Sequence, residues 1–222
     1  MPSVRMVTLS AVAALSMAGA AHANLVANGD FGTGDFTDWT LFTTSNGTIG
    51  TGPEPDVSSF NVTGGGAQNA ATFNVGEVNF DGTEQGGGVS QTITTGAGLL
   101  DLSASIAAFK IAFNADAGLF SILVDGSTVA SDDLGPINAG QTLRATLMGS
   151  IAVTAGTHDL EILVTRPYTT CGDGCTPNQY VTDITANIGG TVPEPASWVM
   201  MVVGTSLLGA ALRRRRLATL AA

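Results

Sequence analysis

The chain has 222 residues, eight basic and eighteen acidic, for a net charge of −10. It is 44% hydrophobic but only 6% aromatic, with 29 glycines and two cysteines. That charge excludes a phosphate-neutralising surface for nucleic acid, and two cysteines exclude a small scaffold held together by disulfides.

At the N-terminus Arg5 precedes an apolar, small-residue run, Met6 to Ala20, and Ala21-His22-Ala23 has the form of an A-x-A cleavage site. Residues 1–23 are therefore expected to be a signal peptide, cut after Ala23, with Asn24 opening the mature chain after Sec export. The run is too short and too rich in small residues to persist as a first membrane helix.

Residues 24–190 are expected to form one domain, a length that permits a substantial core. Between residues 24 and 192 the only basic residues are Lys110, Arg144 and Arg166, against seventeen acids, a net charge of −14. Such a balance repels nucleic acid and anionic lipid and favours solubility. The opening "NLVANGDFGTGDFTDWT" alternates Phe31, Phe36 and Trp39 with turn residues. It is expected to seat a first strand across two sheets, with Trp39 in the core rather than serving as a sugar platform. Residues 44–88 read as loops around short strands, because their many glycines bring backbone freedom.

Beyond residue 88 the periodicity is two, the mark of half-buried strands. Val89, Gln91 and Ile93 share one face; so do Leu100, Leu102, Ala104 and Ile106. Phe120, Ile122 and Val124 alternate up to Asp125-Gly126, a tight-turn pair, and Val129 starts the return strand. "TLRATLMGSIAV" predicts another strand, as do "AGTHDLEILVTR", with His158, Leu160, Ile162 and Val164 on one face, and "QYVTDITANI". No long helical pattern and no fixed-period repeat occur, so the fold class is an all-β antiparallel sandwich. In "RPYTTCGDGCTPNQY", Cys171 and Cys175 are expected to pair after export; two thiols without a neighbouring histidine do not make a metal site. The same loop gathers candidate ligand-binding residues, Arg166, Tyr168, Asp173, Asn178 and Tyr180, although a plain structural loop explains the stretch as well.

The opening "NGDF…W" together with the late "YVTDITANI" resembles the galactose-binding-like jelly rolls, which include carbohydrate-binding modules. That resemblance implies a jelly-roll sandwich. It also implies a structural calcium near the two edges, here through Asp30 and Asp183, with Gly32 standing where the family carries Glu.

After Pro193-Glu194-Pro195, Ala196 to Leu212 is an uncharged run of seventeen residues, followed by Arg213, Arg214, Arg215 and Arg216. As a helix the run reaches roughly 26 Å, close to the thickness of a bilayer core, and the arginines hold its far end in the cytoplasm. The organisation expected is a Pro-Glu-Pro linker at 191–195, a transmembrane helix at 196–212 and a basic tail at 213–222. This tripartite tail resembles the PEP-CTERM sorting signal of Gram-negative bacteria, which implies recognition by an exosortase. It also implies a membrane-anchored precursor and a final place at the cell surface or in an exopolysaccharide or biofilm matrix. An ordinary tail anchor that is never cut uses the same residues.

Three functions compete on this sequence: an exported surface or matrix protein that associates with polysaccharide, a dedicated carbohydrate-binding module with a defined sugar site, and a glycoside-cleaving enzyme. No spacing singles out a carboxylate pair, and no serine lies in a nucleophile-elbow motif that would use His158. The expectation is a non-enzyme that requires no cofactor.

Overall fold

The computed structural model describes residues 24–50, 52–170 and 176–189. The expected signal peptide, the Cys171–Cys175 disulfide, Asp173, and the linker, helix and basic tail from residue 190 lie outside the described residues. Within them there is no helix long and apolar enough to cross a membrane.

The chain forms β1 (Thr40–Thr43), β2 (Gly47–Thr48), β3 (Asp56–Phe60), β4 (Gln68–Phe73), β5 (Gly76–Glu77), β6 (Gln85–Thr95) and β7 (Gly98–Phe109). It continues through β8 (Ala115–Asp116), β9 (Leu119–Val124), β10 (Ser127–Asp133), β11 (Pro136–Ile137), β12 (Thr142–Val153), β13 (Gly156–Arg166) and β14 (Asn178–Ile188). One sheet has the order β1-β6-β13-β9-β10, the other β12-β7-β14-β4-β3; two short ribbons, β11-β8 and β2-β5, stand beside them. The chain changes sheet from β4 to β6, to β7, to β9, and again from β10 to β12, to β13, to β14. With the β9–β10 hairpin this is the strand order of a jelly roll.

The alternation in the sequence decides which residues meet between the sheets. Val89, Ile93, Phe120, Ile122, Leu160, Ile162 and Val164 from one sheet join Leu100, Leu102, Ala104, Ile106 and Val181 from the other in a single buried cluster. Each large side chain so buried stabilises the fold by about 1.5–3 kcal/mol relative to exposure. The β9–β10 turn has Asp125 at φ 50° and Gly126 at φ 74°, the left-handed pair that matches strand twist in a two-residue hairpin. The return strand begins at Ser127, two residues before the expected Val129, and register breaks between Thr128 and Ala130, so Val129 is a bulged residue.

Two expectations are corrected. The aromatic opening is not a strand: residues 24–39 are turns and bends, and β1 starts at Thr40. Asn28 explains this. Held at φ 48°, it sends its amide to Asp35 O (3.2 Å) and Thr37 O (2.9 Å), and its own carbonyl accepts Trp39 Nε1–H at 3.0 Å. The aromatics are core nonetheless, Phe31 stacking on Trp39 with ring centroids 5.8 Å apart. Second, Gly86 to Gly88 are not loop. They are buried residues of the central strand β6, where a Cβ at Gly88 would land on the Ile162 carbonyl and one at Gly86 on that of Val164. Absence of a side chain, not flexibility, is what these glycines provide.

The sandwich has two distinct ends. β13 finishes at Arg166 opposite Gln85, and β14 begins at Asn178 opposite Phe109; this is the loop end. At the other end Leu25 N–H donates to Ala186 O at 2.8 Å and Gly189 N–H to Leu99 O at 2.8 Å, so the first and the last of the described residues lie there.

Candidate functional site

The loop end carries a cavity of about 600 Å³. It is lined by Phe80 from the β5–β6 loop, Asn114 from the β7–β8 turn, Asp116 of β8, Pro136 of β11, Arg166 at the end of β13, and Tyr168 and Thr169 following it. Phe80 is 69% exposed and Tyr168 49%, so both rings face solvent. Aromatic faces, one cation, one carboxylate and one amide around a concavity suit a ligand with apolar faces and polar edges. Among the described residues that line it there is no histidine, cysteine or serine.

Local structure holds the rim in place. Asn46 donates its amide to Asn79 O (2.7 Å) and to Asp81 Oδ2 (3.2 Å), while its Oδ1 accepts Asn79 N–H (3.0 Å). Glu77, fully buried, accepts the Asp81 N–H on Oε2 at 2.6 Å and donates its own N–H to Tyr168 O at 2.8 Å. The two aromatic-bearing loops are thus tied to each other through β5. Thr83 and Asn46 keep the Asp81 carboxyl below its ordinary range by hydrogen bonding to its ionised form.

Arg166 is the polar centre. It is 3% exposed, donates Nη1–H to Val75 O at 3.0 Å, and lies with its guanidinium carbon 5.8 Å from the Tyr168 ring centroid. Its Nε is buried and has no hydrogen-bond partner among the described residues. Burial lowers its pKa, opposed by the charges of Asp116 and Glu84 and by Tyr168. Lys110, also buried, has its ammonium pKa lowered by desolvation and then by Arg166. Two of the domain's three cations therefore sit at this end. Gln179 supports the floor, accepting Val75 N–H at 3.1 Å and donating to Ala117 O at 3.3 Å.

The residues singled out by sequence do not all meet here. Arg166 and Tyr168 line the cavity. Asn178 instead accepts the Asn74 amide at 3.0 Å. Tyr180 does not line the cavity; it is 6% exposed and stacks on Phe60 with centroids 3.9 Å apart and planes at 4°. With Val62, Ala70 and Ala107 it forms a small second core, and burial raises its phenol pKa. Phe80, Asn114 and Asp116 belong to stretches without periodicity; the one signal for them was an aromatic ring in the Gly- and Asp-rich "VNFDG".

His158 stands at the opposite end. Its Nδ1 is 2.7 Å from Asp125 Oδ2 and its Nε2 is 3.0 Å from Thr154 O. The nitrogen that a nucleophile would need is occupied by a backbone carbonyl, so this pair braces the β9–β10 turn.

Asp30 and Asp183 lie where the N-terminal segment runs beside β14, with Ile184 N–H donating to Gly29 O at 2.9 Å. Asp183, at φ 51°, occupies the register break of β14. Among the described residues no three His, Cys, Asp or Glu side chains gather as a metal site.

Residues 191–216 match the PEP-CTERM protein-sorting motif, a span that contains Pro193, Glu194, Pro195 and the four arginines. No curated protein matches the chain by sequence. Among solved structures it is similar to the carbohydrate-binding module TmCBM61 in complex with beta-1,4-galactotriose, at 14% identity, over 75% of this chain and 99% of that one, TM-score 0.46. It is also similar to the CBM22-1 xylan-binding domain from Paenibacillus barcinonensis Xyn10C, at 14% identity, over 79% and 100% of the two chains, TM-score 0.44. A third similarity is to the arabinose-bound MgGH51 α-L-arabinofuranosidase, at 12% identity, over 75% of this chain and 26% of that one, TM-score 0.40.

Proposed function

We propose that the chain is an exported, exosortase-sorted surface or matrix protein whose jelly roll binds polysaccharide, without cleaving it, in the cavity at its loop end. The sorting motif at 191–216 supports delivery. The observation that carries the binding half is the cavity itself: two solvent-facing rings, Phe80 and Tyr168, beside a buried guanidinium whose Nε–H has no partner among the described residues. A pyranose has an apolar face for the rings and hydroxyl groups for Arg166, Asp116 and Asn114. This favours a defined sugar site over adhesion spread across the surface.

The geometry suits display. The chain leaves β14 at the end opposite the cavity, and the eleven residues of β14 span about 36 Å. A protein held through its tail would present the cavity outward, toward the matrix.

The test is affinity electrophoresis of the full chain against a panel of bacterial and plant polysaccharides, repeated with Tyr168→Ala. Retardation by at least one polymer is expected. Removing a half-exposed ring should weaken it about 5- to 30-fold, equivalent to about 1–2 kcal/mol of stacking, and leave the melting temperature unchanged. Retardation by none of the panel, or equal retardation of the variant, would overturn the site.

A further inference from the structure

The calcium implied by the fold resemblance does not fit the residues this chain places at that position. A calcium ion takes six to eight oxygen ligands. Here four of the oxygens around the 29–31 turn and the β14 bulge each accept an N–H group. Asp183 Oδ2 accepts Gln68 Nε2–H at 2.8 Å, and the Phe31 carbonyl accepts Asn69 Nδ2–H at 3.0 Å. Asp30 Oδ1 turns back to the Gly32 N–H at 3.0 Å, and the Gly29 carbonyl is taken by Ile184 N–H.

We infer that the side-chain amides of Gln68 and Asn69 replace the cation, making a hydrogen-bonded clasp between the N-terminal turn and the late strand. The two residues open β4, at the point where that strand gives way to the N-terminal segment as the neighbour of β14. Each amide presents the positive end of a dipole to an oxygen that would otherwise be a ligand. Asn69 is held from its other side, its backbone carbonyl accepting Thr182 Oγ1–H at 2.8 Å. A cation entering here would need both amides to turn their oxygens inward and would displace both hydrogen bonds. Gly32 completes the argument: it stands where the family supplies a carboxylate, and a Cβ there would approach Asp30 Oδ1 to 3.1 Å. The consequence is a domain whose join does not depend on the calcium content of its surroundings.

Thermal unfolding of the full chain, in calcium chloride and in EDTA, tests this, with Gln68→Glu and Gln68→Ala alongside. For the natural chain the two midpoints should coincide. Gln68→Glu sets a second carboxylate against Asp183; its midpoint should fall in EDTA and recover in calcium by about 5 °C or more, as a ligand-linked site requires. Gln68→Ala removes the donor and should lower the midpoint equally in both media. A natural chain whose midpoint rises with calcium overturns the clasp, as does a Gln68→Ala midpoint equal to that of the natural chain.

Discussion

His158 shows how one residue's chemistry is set by its neighbours. It is buried at the turn end of β13, and its partner Asp125 is 54% exposed. The hydrogen bond to Asp125, followed by that to the Thr154 carbonyl, raises the imidazole pKa above its ordinary 6.5. The same bond, with the Asp159 N–H, lowers the Asp125 carboxyl below 3.8. A raised histidine stabilises the fold fully below pH 6.5, and this contribution is lost as pH rises through the higher folded value. A depressed aspartate contributes fully above pH 3.8 and loses its effect as pH falls through the lower folded value. The pair therefore stabilises most between those limits. In thermal melts across pH, the deficit of His158→Gln relative to the natural chain is expected to be largest between pH 3.8 and 6.5 and to shrink as pH rises above 6.5 through the raised folded value. A deficit independent of pH would mean that the ring acts by packing alone. At the cavity, Arg166 makes the corresponding point: burial alone would disfavour its charge, and the carboxylates of Asp116 and Glu84 oppose that.

Among the elements, β6 departs most from what its sequence suggests. Its second half alternates Val89 and Ile93 into the core, whereas its first half holds three consecutive buried glycines, all paired with β13 and two of them, Gly87 and Gly88, also with β1. Glycine normally weakens a strand; here the neighbouring carbonyls of Phe42, Ile162 and Val164 come too close for any Cβ. Gly88→Ala should therefore cost about 3 kcal/mol or more, at or beyond the usual range for overpacking, because the obstacle is backbone and cannot rotate away. Urea unfolding would measure it. A loss under about 1 kcal/mol would show that the strand shifts to admit the methyl group. By contrast, β12 and β7 pair over twelve residues without a register break; both were legible as strands, and β7 also in its inward face, since an unbroken period of two needs no tertiary information.

For the whole molecule, the decisive feature is polarity along the strand axis: both ends of the described domain, Leu25 and Gly189, at one pole, the cavity at the other. If the tail is an address read by an exosortase, intact mass of the exported protein should show loss of the residues before Asn24 and a cut near the Pro-Glu-Pro triplet. In a host lacking the exosortase the tail should remain. A shortened C-terminus in that host would remove the sorting reading and leave the cavity untouched. The sequence by itself determined the sorting motif, the acidic balance, the all-β class and the inward faces of β7, β9 and β13. These depend on local period or on a contiguous string of residues. Only the tertiary structure decided that Tyr180 packs on Phe60 while Phe80, Asn114 and Asp116 join Arg166 and Tyr168. It likewise decided that the glycines of β6 are core, and that Gln68 and Asn69 meet Asp183 and Phe31. Each of those outcomes brings together residues far apart in the chain, and where strands cross from sheet to sheet, spacing along the sequence no longer measures distance.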